Sequence, residues 1–159
     1  MEQSLTKAAH LAQELILKES AASEAAALSP KSARRVLILD GCRTFARRVE
    51  TLLSAEDFLV YSFAEVSKVE EMIDLVHPDL LVLDISMPGV DVLETCRQLR
   101  DRESSHKLPI LLVYGTLDHQ LCSQALAAGG NAILPKSAAN TDFLNKICGY
   151  LSPGVALSA

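Results

Sequence analysis

Pro78-Asp79-Leu80-Leu81-Val82-Leu83-Asp84-Ile85-Ser86-Met87-Pro88-Gly89 is a short apolar run that ends in a carboxylate and is bounded by turn residues on both sides. A continuous run of this length, with proline and glycine closing it, reads as a strand covered on both faces. Strands of that kind belong to parallel sheets with helices on each side, and the carboxyl ends of such strands line the ligand crevice. Asp84 therefore stands where a strand surfaces into a turn, a place for a reactive carboxylate or for a turn-capping one.

The same grammar repeats along the chain. Val36-Leu37-Ile38-Leu39, Phe58-Leu59-Val60-Tyr61-Ser62, Ile110-Leu111-Leu112-Val113 and Ala132-Ile133-Leu134 are the other strand candidates. Between and after them, apolar residues recur at helical spacing: Phe45, Val49, Leu52 and Leu53; Val66, Val69, Met72, Ile73 and Val76; Val92, Leu93, Cys96 and Leu99; Leu121, Ala125 and Leu126; Phe143, Leu144, Ile147 and Leu151. Five β–α units joined by right-handed crossovers predict an α/β, doubly wound parallel sheet. The turn after the first strand, Asp40-Gly41-Cys42-Arg43-Thr44, has no GxGxxG, which excludes a Rossmann dinucleotide site. The remaining common order is the flavodoxin-like 2-1-3-4-5, which sets Asp40 and Asp84 side by side at the crevice. It also makes the fifth strand an edge, where Pro135 is tolerated.

The chain has 159 residues, 49% of them hydrophobic, and a formal charge of −5 from 15 basic and 20 acidic side chains. One domain with a full core is the expected count. The acidic balance argues against a nucleic-acid binder, and the cluster Lys31, Arg34, Arg35, Arg43, Arg47 and Arg48 reads as a solvated face. Cys42, Cys96, Cys122 and Cys148 are dispersed and suggest neither zinc nor a disulfide framework, so free thiols in the cytoplasm are expected. Cys42 itself is expected to be at least half-buried. His10, His77, His106 and His119 have no partner nearby in sequence. No apolar run approaches the roughly 20 residues of a membrane span, and Met1-Glu2-Gln3 does not open a secretory signal.

Ahead of the sheet, residues 1–33 are rich in Ala, Glu and Lys, with Leu5, Ala8, Ala12 and Leu15 at helical intervals. They read as a helical extension, an amphipathic helix through Lys18, followed by a Ser29-Pro30-Lys31-Ser32 linker. The stripe is too short for a secure coiled coil. The expected division is an extension over 1–33, a sheet domain over 34–152 and a tail over 153–159.

Val36-Leu37-Ile38-Leu39-Asp40, Pro78 to Asp84 with Met87-Pro88-Gly89, Leu108-Pro109-Ile110, Ala128-Gly129 and Lys136, in that order, resemble the receiver domain of bacterial two-component response regulators. The resemblance covers about Ala33 to Leu151. It implies a receiver of a two-component phosphorelay, not an enzyme beyond self-catalysed phosphoryl transfer, in which Asp84 takes a phosphoryl group from a histidine kinase or phosphotransfer protein; because only Ser152 to Ala159 follow the last helix candidate, a stand-alone receiver is expected. It also implies Mg2+ held by Asp40, Asp84 and the Ser86 carbonyl, and Lys136 paired with the acceptor or its phosphate. Output would pass by protein contact through about Leu117 to Leu151 or through the N-terminal helix, with a homodimer as a further option, and involve neither nucleic acid nor membrane.

Several positions depart from the family pattern. Gly41 stands where a second acid would touch the metal, so metal affinity should fall. Tyr114 occupies the place of the small hydroxyl switch residue and is expected to fill or lid the crevice, with Thr116 two residues on. Ile133 replaces the partner aromatic, and Ser137 replaces the proline that shapes the lysine loop through a cis bond, so that loop is expected to be built differently. These departures leave a second reading open, a pseudo-receiver that acts as an interaction module without phosphorylation. Asp40 has a competing role as cap of the helix near Thr44. A haloacid-dehalogenase-like phosphatase is disfavoured by Ser86, which cannot act as its second acid. A flavodoxin is disfavoured by a first loop without a Ser/Thr-rich phosphate cradle.

Overall fold

A computed structural model describes Gln13, Glu14, Leu17 and residues 33–151. The chain divides into two compact units, Met1–Ala33 and Arg34–Ala159. In the first, Gln13, Glu14 and Leu17 are helical and exposed; the expected stripe at Leu5, Ala8, Ala12 and Leu15 lies outside the described residues, as do the linker and the tail.

The second unit runs β1 (Arg35–Leu39), α1 (Arg43–Ser54), β2 (Leu59–Phe63), a 3-10 turn (Val66–Lys68), α2 (Val69–Val76), β3 (Leu80–Asp84), α3 (Val92–Asp101), β4 (Ile110–Tyr114), α4 (His119–Ala127), β5 (Ala132–Pro135) and α5 (Asn140–Leu151). The strands form one sheet in the order β2-β1-β3-β4-β5. Every pairing is parallel, as the uninterrupted apolar runs require. Leu80 to Leu83 are completely inaccessible to solvent, which identifies β3 as the central strand of the core.

Successive strand residues face opposite sides of the sheet. Val36, Ile38, Leu80, Val82, Leu111 and Val113 face a core layer completed by Phe45, Val49 and Leu53 of α1 and by Phe143, Ile147 and Leu151 of α5. The alternate residues Leu37, Leu39, Leu81, Leu83 and Leu112 are equally buried on the other side. Pro135 is accommodated at the edge as expected, because β5 pairs only with β4, through the register Tyr114↔Pro135.

Local chemistry fixes the turns. Asp91 and Asp118 cap α3 and α4 through bonds from the amides of Glu94 and Leu121, each at 2.9 Å. His77 closes α2 in the left-handed region, φ 49°, and Pro78 follows it. The helix predicted to begin at Val66 instead opens with the 3-10 turn and becomes α-helical at Val69. Arg100 draws together the carbonyls of Gly129, Ser105 and Leu108 and the Asn131 side chain, tying the end of α3 to the connections around β4 and β5.

Candidate functional site

The register Leu39↔Leu83 places the next residues of β1 and β3, Asp40 and Asp84, next to one another. Both carboxylates are buried, at 4% and 5% exposure. Each is oriented by a backbone amide two residues ahead. The Cys42 amide donates to Asp40 Oδ1 at 2.6 Å and the Ser86 amide to Asp84 Oδ1 at 2.8 Å. These local turns hold the carboxyl groups still at the mouth of the crevice.

Lys136 leaves β5 directly after Pro135, where its amide donates to the Tyr114 carbonyl at 2.8 Å. Its ammonium lies 2.9 Å from Asp84 Oδ2 and 2.7 Å from Asp40 Oδ2, bridging both carboxylates. Burial pushes this lysine down, but its hydrogen bonds and attraction to Asp40 and Asp84 outweigh that and hold it above the ordinary lysine range. The Phe45 ring lies beneath it, 5.2 Å from Nζ to centroid.

Three residues singled out from sequence are thus brought together: Asp40, Asp84 and Lys136. Ser86 follows at the surface, its Oγ accepting a long 3.4 Å bond from the Gly115 amide. Tyr114 ends β4 half-buried, while Gly41 and Thr116 are exposed.

The capping role considered for Asp40 is not realised. Helix α1 starts at Arg43, its cap position is Cys42 without a side-chain cap bond, and the Asp40 carboxylate serves the turn instead. Cys42 is exposed, contrary to expectation, because it sits outside the first helical turn at the crevice rim.

The lysine loop is also built without a cis peptide; none occurs among the described residues. Arg48, read from sequence as part of a solvated face, is half-buried and donates to the Lys136 carbonyl at 2.6 Å, to the Ala138 carbonyl and to Asn140 Oδ1 at 2.8 Å. Phe45 and Arg48 lie three residues apart on one face of α1, a spacing that could have pointed to a shared task. The replacement of proline by Ser137 was the other available signal.

The groups expected to hold a divalent cation are the two carboxylates of Asp40 and Asp84 and the Ser86 carbonyl. Among the described residues no three His, Cys, Asp or Glu side chains gather at one point. Asp40 Oδ2 is nevertheless a buried oxygen on which no donor is aligned, despite the close ammonium. An oxygen of this kind suits magnesium, which keeps several waters and takes few protein carboxylates. The residues therefore fit the ion, with one acid fewer than the family pattern.

The family described as response regulator receiver domain matches residues 36–148. The chain belongs to that family. Among its relatives, response regulator MprA of Mycobacterium ulcerans is 34% identical over 113 residues, covering 71% of this chain and 48% of MprA. Protein RcaC of Microchaete diplosiphon is 32% identical over 118 residues, covering 74% of this chain and 18% of RcaC. The chain spans less than half the length of these curated relatives. A response regulator signal receiver domain from Bermanella marisrubri superposes with a TM-score of 0.69 at 26% identity, covering 76% of this chain and 99% of that one. The BeF3-activated receiver domain of Klebsiella pneumoniae RstA shares the fold at a TM-score of 0.69 and 23% identity, covering 75% and 99%. This receiver domain has the flavodoxin-like sheet order expected from its sequence.

Proposed function

We propose that the domain accepts a phosphoryl group on Asp84 and signals by protein contact. The observation that carries this reading is the Lys136 ammonium, set between two buried carboxylates at 2.7 and 2.9 Å. A carboxylate attacking phosphorus approaches a centre ringed by negative oxygens, so positioning and charge neutralisation are the chief requirements. Ser86 and Lys136 hold the Asp84 carboxylate at its two oxygens. In the transfer, one Asp84 oxygen forms the new P–O bond, the P–N bond of a phosphohistidine donor breaks, and the imidazole leaves with that electron pair and takes a proton. Lys136 then follows the charge onto the phosphoryl oxygens. Asp40, Asp84 and the Ser86 carbonyl would hold magnesium, which when bound supplies charge neutralisation at the phosphoryl oxygens.

Receiver domains are signalling modules, and the donor here is a histidine kinase or a phosphotransfer protein. Exposed Leu117 and Leu126 support output through the α4–β5–α5 side. Residues 1–33 offer a second contact element. No described helix is long and apolar enough to cross a membrane, and the reading places this unit in the cytoplasm. Incubation with acetyl phosphate and magnesium should add one phosphoryl group to the intact mass of the wild type and none to Asp84→Asn.

The second reading is a pseudo-receiver. Gly41, Tyr114 and Ser137 favour it, since each removes a part that phosphorylation normally uses. If the wild type takes neither phosphoryl nor beryllofluoride, and Asp84→Asn still signals, this second reading holds.

A further inference from the structure

Lys136 is secured at both ends. Its ammonium rests on Asp40, Asp84 and the Phe45 ring, and its own carbonyl is taken by Arg48. Arg48 also bonds the Ala138 carbonyl and Asn140 Oδ1, so one planar guanidinium spans the loop from the lysine to the first residue of α5. Its carbon Cζ lies 5.4 Å from the Phe143 centroid, and Phe143 packs on Phe45 at 5.6 Å. A closed circuit results: Arg48 on Phe143, Phe143 on Phe45, Phe45 under Lys136, and Lys136 back to Arg48.

The Lys136–Ala139 loop also has backbone anchors: the Lys136 amide donates to the Tyr114 carbonyl at 2.8 Å, and the Ala139 carbonyl accepts from the amides of Asp142 and Phe143 at 3.0 and 3.2 Å. Besides Arg48, Ala138 donates to the Pro135 carbonyl at 2.9 Å, and Ser137 and Ala139 are exposed. Arg48 adds side-chain bonds to the carbonyls of Lys136 and Ala138, which set the direction in which the chain leaves the strand at the lysine. The fork of an arginine can hold two carbonyls and a side-chain amide at once, whereas an ammonium cannot match that planar geometry.

We propose that Arg48 is a positioning residue for Lys136, setting the loop so that the ammonium bridges Asp40 and Asp84. The inference rests on the reading of Lys136 as the cation of the site, but its test uses neither phosphodonor nor magnesium. A chain that never takes a phosphoryl group therefore still reveals whether Arg48 aims the lysine.

The test is the rate at which an N-hydroxysuccinimide ester acetylates Lys136 in the folded full chain, read by peptide mass spectrometry against exposed Lys107 as internal reference. In the wild type Lys136 should label far more slowly than Lys107. Arg48→Met should raise the Lys136/Lys107 ratio about tenfold, the scale expected when a charge-assisted hydrogen bond is lost. Arg48→Lys should raise it in the same direction, since charge without the fork does not hold both carbonyls. Val76→Ala, a core deletion in α2, controls for general loosening and should leave the ratio unchanged. The proposal is overturned if Arg48→Met raises the ratio no more than Val76→Ala does, or if Arg48→Lys matches the wild type. Should Arg48→Met fail to fold, Arg48→Lys and Asn140→Ala decide: a rise in both supports the role, and a wild-type ratio in either overturns it.

Discussion

Asp84 and Lys136, fifty-two residues apart in the chain, meet as a 2.9 Å ion pair at the carboxyl end of the sheet. The pair is enclosed enough that proton binding to the lysine is linked to folding. Because Asp40 and Asp84 raise its pKa in the folded state, the folded chain holds this proton to higher pH than the unfolded one. The contribution is complete below the unfolded lysine value of about 10.4 and is lost as pH rises through the higher folded value. Urea melts across that range should show a steeper alkaline loss of stability in the wild type than in Lys136→Met.

Restoring an acid beside Asp40 should strengthen the cation site. A Cβ added at Gly41 meets no atom within 4 Å, so Gly41→Asp is admitted without repacking. Ligand charge tunes such sites over decades of affinity, and a gain on the order of tenfold is expected. Magnesium titration followed by amide chemical shifts would measure it, and unchanged affinity would remove Gly41 as the cause of a weak site.

Two glycines near β5 and in α5 should respond in opposite senses. At Gly130 a Cβ would lie 2.2 Å from Leu112 Cδ1 and 2.8 Å from its Cγ, and Leu112 is fully buried. Gly130→Ala should therefore cost about 1–3 kcal/mol through overpacking. Gly149 sits on the exposed side of α5 with nothing within 4 Å. Gly149→Ala should gain up to about 1 kcal/mol from helix propensity. Chemical denaturation of both variants provides the comparison.

The thiols should separate by access. Burial pushes Cys96 up to about 11, whereas Cys42 is exposed at the crevice rim. At pH 8 a disulfide reagent should modify Cys42 in the folded chain and reach Cys96 only on unfolding. Mass spectrometry of time-resolved labelling would show the order, and early modification of Cys96 would contradict its placement in the core.

Much of this arrangement is legible from residues alone. Leu80 to Leu83 announce a central strand because full burial on both faces demands an uninterrupted apolar run, and the missing GxGxxG selects the strand order. Asp40 and Asp84 follow from that order. What escapes is set by long-range geometry. Arg48 looks like any solvated arginine until the loop between β5 and α5 folds against it and supplies carbonyls, ninety residues away in the case of Ala138. Cys42 escapes because the general burial of cysteine says little about a residue at the very start of a helix. The 3-10 turn at Val66–Lys68 is likewise invisible to apolar spacing, since three residues are too few to establish a period.

The circuit through Phe45, Phe143 and Arg48 bears on how this crevice could be copied. Transplanting Asp40, Asp84 and Lys136 alone onto another sheet would move the charges and leave behind what aims them. The smallest portable unit is those three residues together with the facing sides of α1 and α5, so the site is a property of a helix pair as much as of strand ends.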